Sequence, residues 1–340
     1  FKTLYKIKNN SSILIVGPNG IGKNFLANTI HMNLSSNNPD TFINLNENLM
    51  NAFTPKPSHP SEQRIAILSC IHGNMAALEA VWDDLGDQNI DQLYCLGDLV
   101  GYGPYPNEVV EFVKQNNIPT VLGCWDEGIG MEQEDCGCKF ITEEDAEYGH
   151  AAFKWTRCNI TEQNRKFLSE LYFGQRVTNT AAGTLLLVHG SPRNTGEYLM
   201  ESTHDLILFE RAAAGDCDVL ICGHTHVPFV RQIEGTLKVT AELGVKDAIQ
   251  KDLGMVKTPA PRKVSLKPKL LINAGSVGEP RHGGVEATYV IFNTKTKAVE
   301  IRGVPYDVEA TVKALKNSGL PEAFASRLQS GKEFALKNKE

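Results

Sequence analysis

No stretch of this sequence is apolar for anything near the roughly 20 residues that a membrane-spanning helix needs, so no membrane partner is expected. The opening segment, Lys2 to Asn10, lacks the apolar core of a signal peptide, and the expectation is a soluble, cytoplasmic protein. Positive charge is not in excess either. Against 34 Lys and Arg stand 40 Asp and Glu, a net charge of -6, which leaves no basic footprint for duplex nucleic acid. Also missing is the cysteine spacing of a small cross-linked scaffold. Eight cysteines spread over 340 residues read instead as free thiols or metal ligands. With 41% hydrophobic residues, a chain of this length can bury a large core in one big domain or two smaller ones.

Metal-binding side chains stand at regular places. Five apolar runs each end in one: Ile65–Leu68 leads to Cys70 and His72, Leu93–Leu96 to Asp98, Val121–Leu122 to Cys124, Leu185–Val188 to His189, and Val219–Cys222 to His224 and His226. Short apolar runs of this kind read as buried strands, and in open α/β sheets ligands gather beyond the carboxyl ends of strands. Helical spacing lies between the runs. Ala77, Leu78, Val81, Trp82 and Leu85 predict a helix over 74–85, Pro106 opens another to Gln115, and Asp307 can cap one that stops before Gly319. Alternating strands and helices predict a mixed sheet. Composition changes near residue 60, after a Pro-rich stretch from Thr54 to Ser61, so residues 1–60 are expected as one unit with its linker and 61–340 as another. Residues 257–269 hold five basic residues, three prolines and no acid, and are expected as a solvated loop rather than a lip that attracts an anionic substrate.

With their neighbours these residues form an ordered series: His72-Gly73-Asn74, Gly97-Asp98 with Gly101, Gly123 with Asp126, His189-Gly190, Gly223-His224-Thr225-His226, and Asn273 to Arg281. The series resembles that of the calcineurin-like metallophosphoesterases, and within them the small prokaryotic phosphodiesterases, over residues 64–333. The resemblance implies an α+β chain with the metallo-dependent phosphatase fold, a four-layer αββα sandwich of two mixed sheets with the site at the sheet edges. It also implies two divalent transition-metal ions, Mn, Fe, Zn or Ni, which neutral imidazoles suit better than they suit Mg or Ca. Asp98 matches the bridging carboxylate, His72 and His226 match ligands of the first ion, and His189 and His224 match those of the second. Asn74 and Arg281 are candidates for orienting phosphate, Arg281 because its planar fork pairs two phosphate oxygens. The implied activity is hydrolysis of a small phosphate ester, most of all a diester, by a metal-bridging hydroxide.

Three residues depart from that pattern. Cys70 stands where the family has an aspartate, Cys124 where it has an asparagine, and Trp125 where it has the histidine credited with protonating the leaving group. Both thiols can serve as metal ligands, stay inert, or bond to one another, and as thiolates they favour softer ions and make affinity depend on pH. Trp125 has no ionisable group, which points towards diesters or activated esters, and it reads as an aromatic pocket wall ahead of a base-stacking platform. Cys136-Gly137-Cys138 is a C-x-C pair without a second pair, read as loop cysteines ahead of a chelating or redox pair. These substitutions leave a rival reading open: a metal- or redox-sensing protein that kept the fold and lost the chemistry.

At the other end, Ile13–Val16 followed by Gly17-Pro-Asn-Gly-Ile-Gly22-Lys23-Asn24 resembles the phosphate-binding loop of nucleotide hydrolases. Asn24 stands in place of the hydroxyl residue that would ligate Mg²⁺, and about 60 residues are too few for the strands that supply the second acidic site. A P-loop-like fragment fused ahead of the catalytic unit is therefore expected, without nucleotide binding. A homo-oligomer is compatible with this sequence, which does not fix the oligomeric state.

Overall fold

The computed structural model describes residues 3–6, 12–15, 62–138, 142–239 and 262–332. Near the start, β1 (Thr3–Lys6) and β2 (Ser12–Ile15) pair as an antiparallel hairpin. The glycine-rich segment Gly17–Asn24 and the Pro-rich linker lie outside the described residues. From Arg64 onward two sheets form. The first contains β3 (Arg64–Leu68), β4 (Gln92–Cys95), β10 (Ala287–Asn293) and β11 (Val299–Val304), in the order β11-β10-β3-β4. The second contains β5 (Gly174–Thr180), β6 (Gly183–Val188), β7 (Val219–Cys222), β8 (Phe229–Val239) and β9 (Arg262–Asn273), in the order β5-β6-β7-β9-β8. β3 and β4 are parallel, as are β6, β7 and β9, while the remaining neighbours are antiparallel. Both sheets are mixed, as expected.

Side-chain alternation along β3 produces the layering. Ile65 and Ile67 join Leu185, Leu187, Val219, Ile221, Val290 and Phe292 between the two sheets, whereas Ala66 and Leu68 face helices. Buried on both sides, β3 reads as an unbroken apolar run. The outer face of the first sheet is covered by α1 (Met75–Gly86), α2 (Pro106–Gln115), α3 (Cys124–Gly130), α4 (Glu143–Asn159), α5 (Glu162–Ser169), α7 (Val308–Ser318) and α8 (Ala323–Ser330). The outer face of the second sheet meets α6 (Asp205–Ala214), whose Leu208 and Ala212 pack on Leu186, Leu220 and Leu271. Helix, sheet, sheet and helix make four layers. The ends were legible: Asn74 and Asp307 each accept the backbone N–H three residues on, and Gly319 closes α7 at φ 86°. Among the described residues no helix is long and apolar enough to cross a membrane.

Two expectations are corrected here. Val121–Leu122 is not a strand of either sheet but makes only isolated bridges, Thr120 with Cys95 and Val121 with Tyr172, because the chain turns at once into α3. Most of 257–269 is not loop: residues 262–269 lie in β9, where pairing with β8 satisfies the backbone regardless of side-chain charge. Lys267 and Lys269 point back to Asp218 and the Cys217 carbonyl. Residues 257–261 lie outside the described residues.

The loops beyond the strand ends continue the ladder. Cys70, His72 and Gly73 donate to the carbonyls of Gly97, Asp98 and Leu99 at 3.0, 2.9 and 2.8 Å, which sets the loop after β3 beside the loop after β4. This demands close backbone approach. A Cβ at Gly123 would sit 2.1 Å from the Asp98 amide nitrogen and 2.3 Å from its carboxylate, and one at Gly97 would sit 2.3 Å from Gly123 N. Gly123→Ala is accordingly expected to lower unfolding free energy by about 2–4 kcal/mol, although its φ of -85° suits any residue. Gly86→Ala, in α1 with open space around it, should instead stabilise by about 0.5–1 kcal/mol. Denaturant unfolding of both variants checks the contrast; equal effects would mean that the approach at Gly123 is relaxed in solution.

Candidate metal centre

The parallel strands deliver their carboxyl ends to one edge, where two buried groups of donors stand side by side. Asp98, Cys124, His189 and His224 form one group and Cys70, His72 and His226 the other, with the donor atoms of each within 4.8 Å of one another. All seven are buried. Gly223 makes the meeting of the two sheets close, since a Cβ there would lie 1.9 Å from Ser69 Oγ. Backbone strain is concentrated at the same place: Cys70, His72, Asp98, His224 and His226 all have φ between 49° and 66°. Left-handed conformations are uncommon for residues other than glycine and cost on the order of 1–3 kcal/mol each, so the surrounding ladder must impose them. Sequence spacing carried no sign of this strain.

One loop organises both groups. Asp98 Oδ1 accepts the Trp125 amide at 2.8 Å, and Oδ2 lies 3.0 Å from His189 Nε2 and 3.5 Å from His72 Nε2. A single oxygen therefore faces both groups, rather than one oxygen each. The carbonyls that flank Asp98 hold an imidazole of each group: Leu96 O takes His189 Nδ1 at 2.8 Å and Val100 O takes His72 Nδ1 at 2.9 Å. The loop itself is fixed by Asp126, whose carboxylate accepts the amides of Asp98, Leu99, Val100 and Gly123 at 2.7, 2.9, 3.4 and 3.2 Å.

The donor chemistry fits cations. A carbonyl only accepts, so Val100 O and Glu279 O (2.6 Å from His226 Nδ1) assign the proton of each imidazole to Nδ1. The two Nε2 lone pairs then face one another 3.1 Å apart, an arrangement that no hydrogen bond satisfies and that a cation between them does. In the other group His189 Nε2 and His224 Nδ1 are also 3.1 Å apart, with Cys124 Sγ 3.8 and 3.6 Å away. Burial holds His72 and His224 neutral, each pushed down to about 3, and pushes His226 well below its ordinary value. His189 differs. Burial acts against its charge too, but the Asp98 carboxylate more than offsets this and lifts it to about 10. Burial pushes the Cys70 thiol up to about 11 and Cys124 well above its ordinary value.

The remaining predicted residues separate. Arg281 lies beside the centre, its guanidinium 5.6 Å from the Tyr102 ring and bonded to Glu279 at 2.6 Å. Asn74 does not face the donors. Its amide donates to Gly278 O and Tyr306 and its oxygen accepts from Ala77 N and Thr311, so both ends are spent on fixing α1, and no donor is left for phosphate. Trp125 offers no exposed stacking face: it is 1% exposed, packed against Gly101, Tyr102 and Phe153, with its ring centroid 6.1 Å from that of His72 at an interplanar angle of 85°, behind one of the donors. Sequence reasoning missed Glu279 and Arg327. Glu279 joins Arg281, Arg327 from α8 and His226 Nδ1 (3.2 Å), and the Arg327 guanidinium lies 4.5 Å from the Tyr102 ring. Glu279 sits inside the quoted 273–281 segment; Arg327, on an amphipathic helix, gave no signal.

Comparison with known proteins agrees with this architecture. The calcineurin-like phosphoesterase superfamily domain matches residues 64–297, and the sigma-54 interaction domain matches residues 2–53, over the P-loop-like segment. An uncharacterized protein of Methanocaldococcus jannaschii is 34% identical over 271 residues, 79% of this chain and 98% of its own. A metallophosphoesterase structure from Sphaerobacter thermophilus is 30% identical, covers 80% of this chain and 100% of its own, and has a TM-score of 0.57. A hypothetical protein from Pyrococcus horikoshii OT3 shares the fold, with a TM-score of 0.60 at 20% identity over 79% of this chain and 99% of its own. Matched over most of its length by family and relatives alike, the chain belongs to the calcineurin-like phosphoesterase superfamily.

Proposed function

We propose that this chain is a two-metal phosphodiesterase whose catalytic unit is residues 61–340. The observation that carries the reading is Asp98 Oδ2, which lies within 3.5 Å of an imidazole nitrogen in each of two donor groups. Asp98, Cys124, His189 and His224 would hold one divalent transition-metal ion, and Asp98, Cys70, His72 and His226 the other. When bound, such a pair acidifies a coordinated water and neutralises charge on a phosphoryl group. The chain supplies the rest. Arg281, turned partly to Glu279, is placed to pair phosphate oxygens, and Arg327 adds a second buried guanidinium on the same carboxylate. No side chain at position 125 can protonate a leaving group, so the substrates favoured are small diesters or activated esters whose leaving oxygen needs little help.

Asp98→Asn tests the assignment, because an amide offers one oxygen with little charge to be shared. Turnover of a bis-aryl phosphate should fall by 10³-fold or more while thermal unfolding stays cooperative. Turnover near the parent's with full metal content would remove the shared carboxylate from the mechanism. If the parent binds metal tightly but hydrolyses no ester, the sensing reading is the better one.

Proton release tests the ligands. In the metal-free state at pH 8.5 Asp126, pushed up to about 7 by burial and the Asp98 charge, is already ionised while His189 carries a proton and both thiols are protonated, so filling both groups should release about three protons, one from His189 and one from each of Cys70 and Cys124. The sign follows: cation affinity weakens as pH falls from about 10 and strengthens as it rises. Calorimetry in buffers of different ionisation enthalpy counts the protons, and Cys70→Ser or Cys124→Ser should each lower the count by one. A count of one, unchanged in both variants, would mean that neither thiol is a ligand.

A further inference from the structure

The last helix, α8, reaches the metal centre through one charged side chain. Arg327 pairs with Oε1 of Glu279 while Arg281 pairs with Oε2, and the Arg327 guanidinium lies 4.5 Å from the centre of the Tyr102 ring. The helix is clamped to the segment that carries Arg281. Gly331, which ends α8 at φ 60°, accepts the Gly283 amide at 2.9 Å, and a Cβ at Gly331 would lie 1.9 Å from Gly284 O. One turn before Arg327, Phe324 packs on Tyr102 with ring centres 5.2 Å apart, and Tyr102 lies 4.8 Å from the His72 ring. Arg327 is thus fixed beside the donors without being one.

Packing does not account for the charge. One guanidinium balances one carboxylate, so the second is a surplus positive charge in a buried space, next to groups suited to cations; both arginines oppose a proton on His226. Such a surplus is unfavourable until an anion arrives. The two arginines are also placed differently. Arg281 is the more open, 8% of its side chain exposed against 4% for Arg327, and its own amide is bonded to His226 O at 3.2 Å. We propose that Arg327 is a positioning residue that keeps Glu279 paired while Arg281 turns to a phosphate, a role that rests on the two-metal phosphodiesterase reading, in which Arg281 pairs phosphate oxygens. Without Arg327, Arg281 could bind phosphate only by leaving a buried carboxylate uncompensated, and that carboxylate would repel the anion. With Arg327 in place, Arg281 exchanges carboxylate oxygen for phosphate oxygen and Glu279 keeps an ion pair.

Calorimetric titration with inorganic phosphate tests this on the full-length, metal-loaded protein, alongside metal content and turnover of a bis-aryl phosphate. Arg327→Gln should weaken phosphate binding by about tenfold or more and raise KM by a similar factor, with kcat within about threefold of the parent's. Arg327→Lys keeps the charge and should recover most of the loss. Glu279→Gln removes the group that competes for Arg281, while His226 keeps its bond to the Glu279 carbonyl at 2.6 Å. The double variant Arg327→Gln, Glu279→Gln should therefore bind phosphate within about threefold of the parent, a recovery that lost packing would not give. It buries no unpaired carboxylate, so it decides alone if Arg327→Gln does not fold. Parental phosphate affinity in Arg327→Gln, a loss of about tenfold or more in the double variant, metal content lowered in Arg327→Gln, or no phosphate binding by the parent each overturns the proposal. The expected pattern of phosphate affinities in a protein without turnover would instead count against the phosphodiesterase reading alone.

Discussion

The geometry of the centre depends on a carboxylate that belongs to neither donor group. Asp126 gathers four backbone amides, three of them from the loop that carries Asp98, and so fixes a segment that reaches both donor groups. That loop supplies the shared oxygen through Asp98, and its carbonyls at Leu96 and Val100 aim one imidazole of each group. A change in its path would therefore move both groups together. Burial and the neighbouring Asp98 charge push the Asp126 carboxyl up to about 7, and the amides of Gly123 and Leu99 offset only part of that rise without bringing a counter-ion into the space between the donor groups.

Holding Asp98 ionised in a buried site is the second demand. Burial opposes its charge, and without metal the nearest compensation is the His189 proton 3.0 Å away, which keeps Asp98 below the usual carboxylate range. The proton is a stand-in for the cation. This explains why one histidine of four is pushed up while the others are pushed down: only His189 is close enough to the carboxylate for attraction to exceed the cost of burial.

Much of this was legible in the sequence, and the failures share a cause. α1, α2 and α7 carried their own punctuation at Asn74, Pro106, Asp307 and Gly319, and the seven donors stood where apolar runs end, so local pattern was enough. Where pairing with a distant segment decides the outcome, local pattern misled. Val121–Leu122 has a strand's composition but too little length before α3, and the basic stretch near 262–269 became strand because β8 lies beside it. Asn74 was given a phosphate, yet cap chemistry and two contacts from 232 and 237 residues away claimed its amide first. Arg327 and the approach of Cys138 to Cys124 depend on tertiary packing that no spacing rule encodes.

The exchange of oxygen donors for thiols alters the charge that the chain presents to a phosphate. In the pattern that the sequence resembles, one aspartate and one asparagine occupy positions 70 and 124; with Asp98 they contribute two negative charges. Here Asp98, Cys70 and Cys124 contribute three once both thiols are ionised. Two divalent ions would then keep one net positive charge rather than two, within a buried space where electrostatic differences are weakly screened. Pull on an anionic substrate would fall, and so would the acidity that such ions could give to water. Arg281 and Arg327 against Glu279 restore one positive charge at the edge of the centre, beside Tyr102. Retention of two buried guanidiniums on one carboxylate is costly unless they are used. Under the proposed two-metal reading, substrate attraction would thus shift from the cations towards arginine, a donor of fixed direction that can discriminate among phosphate esters by shape as well as by charge.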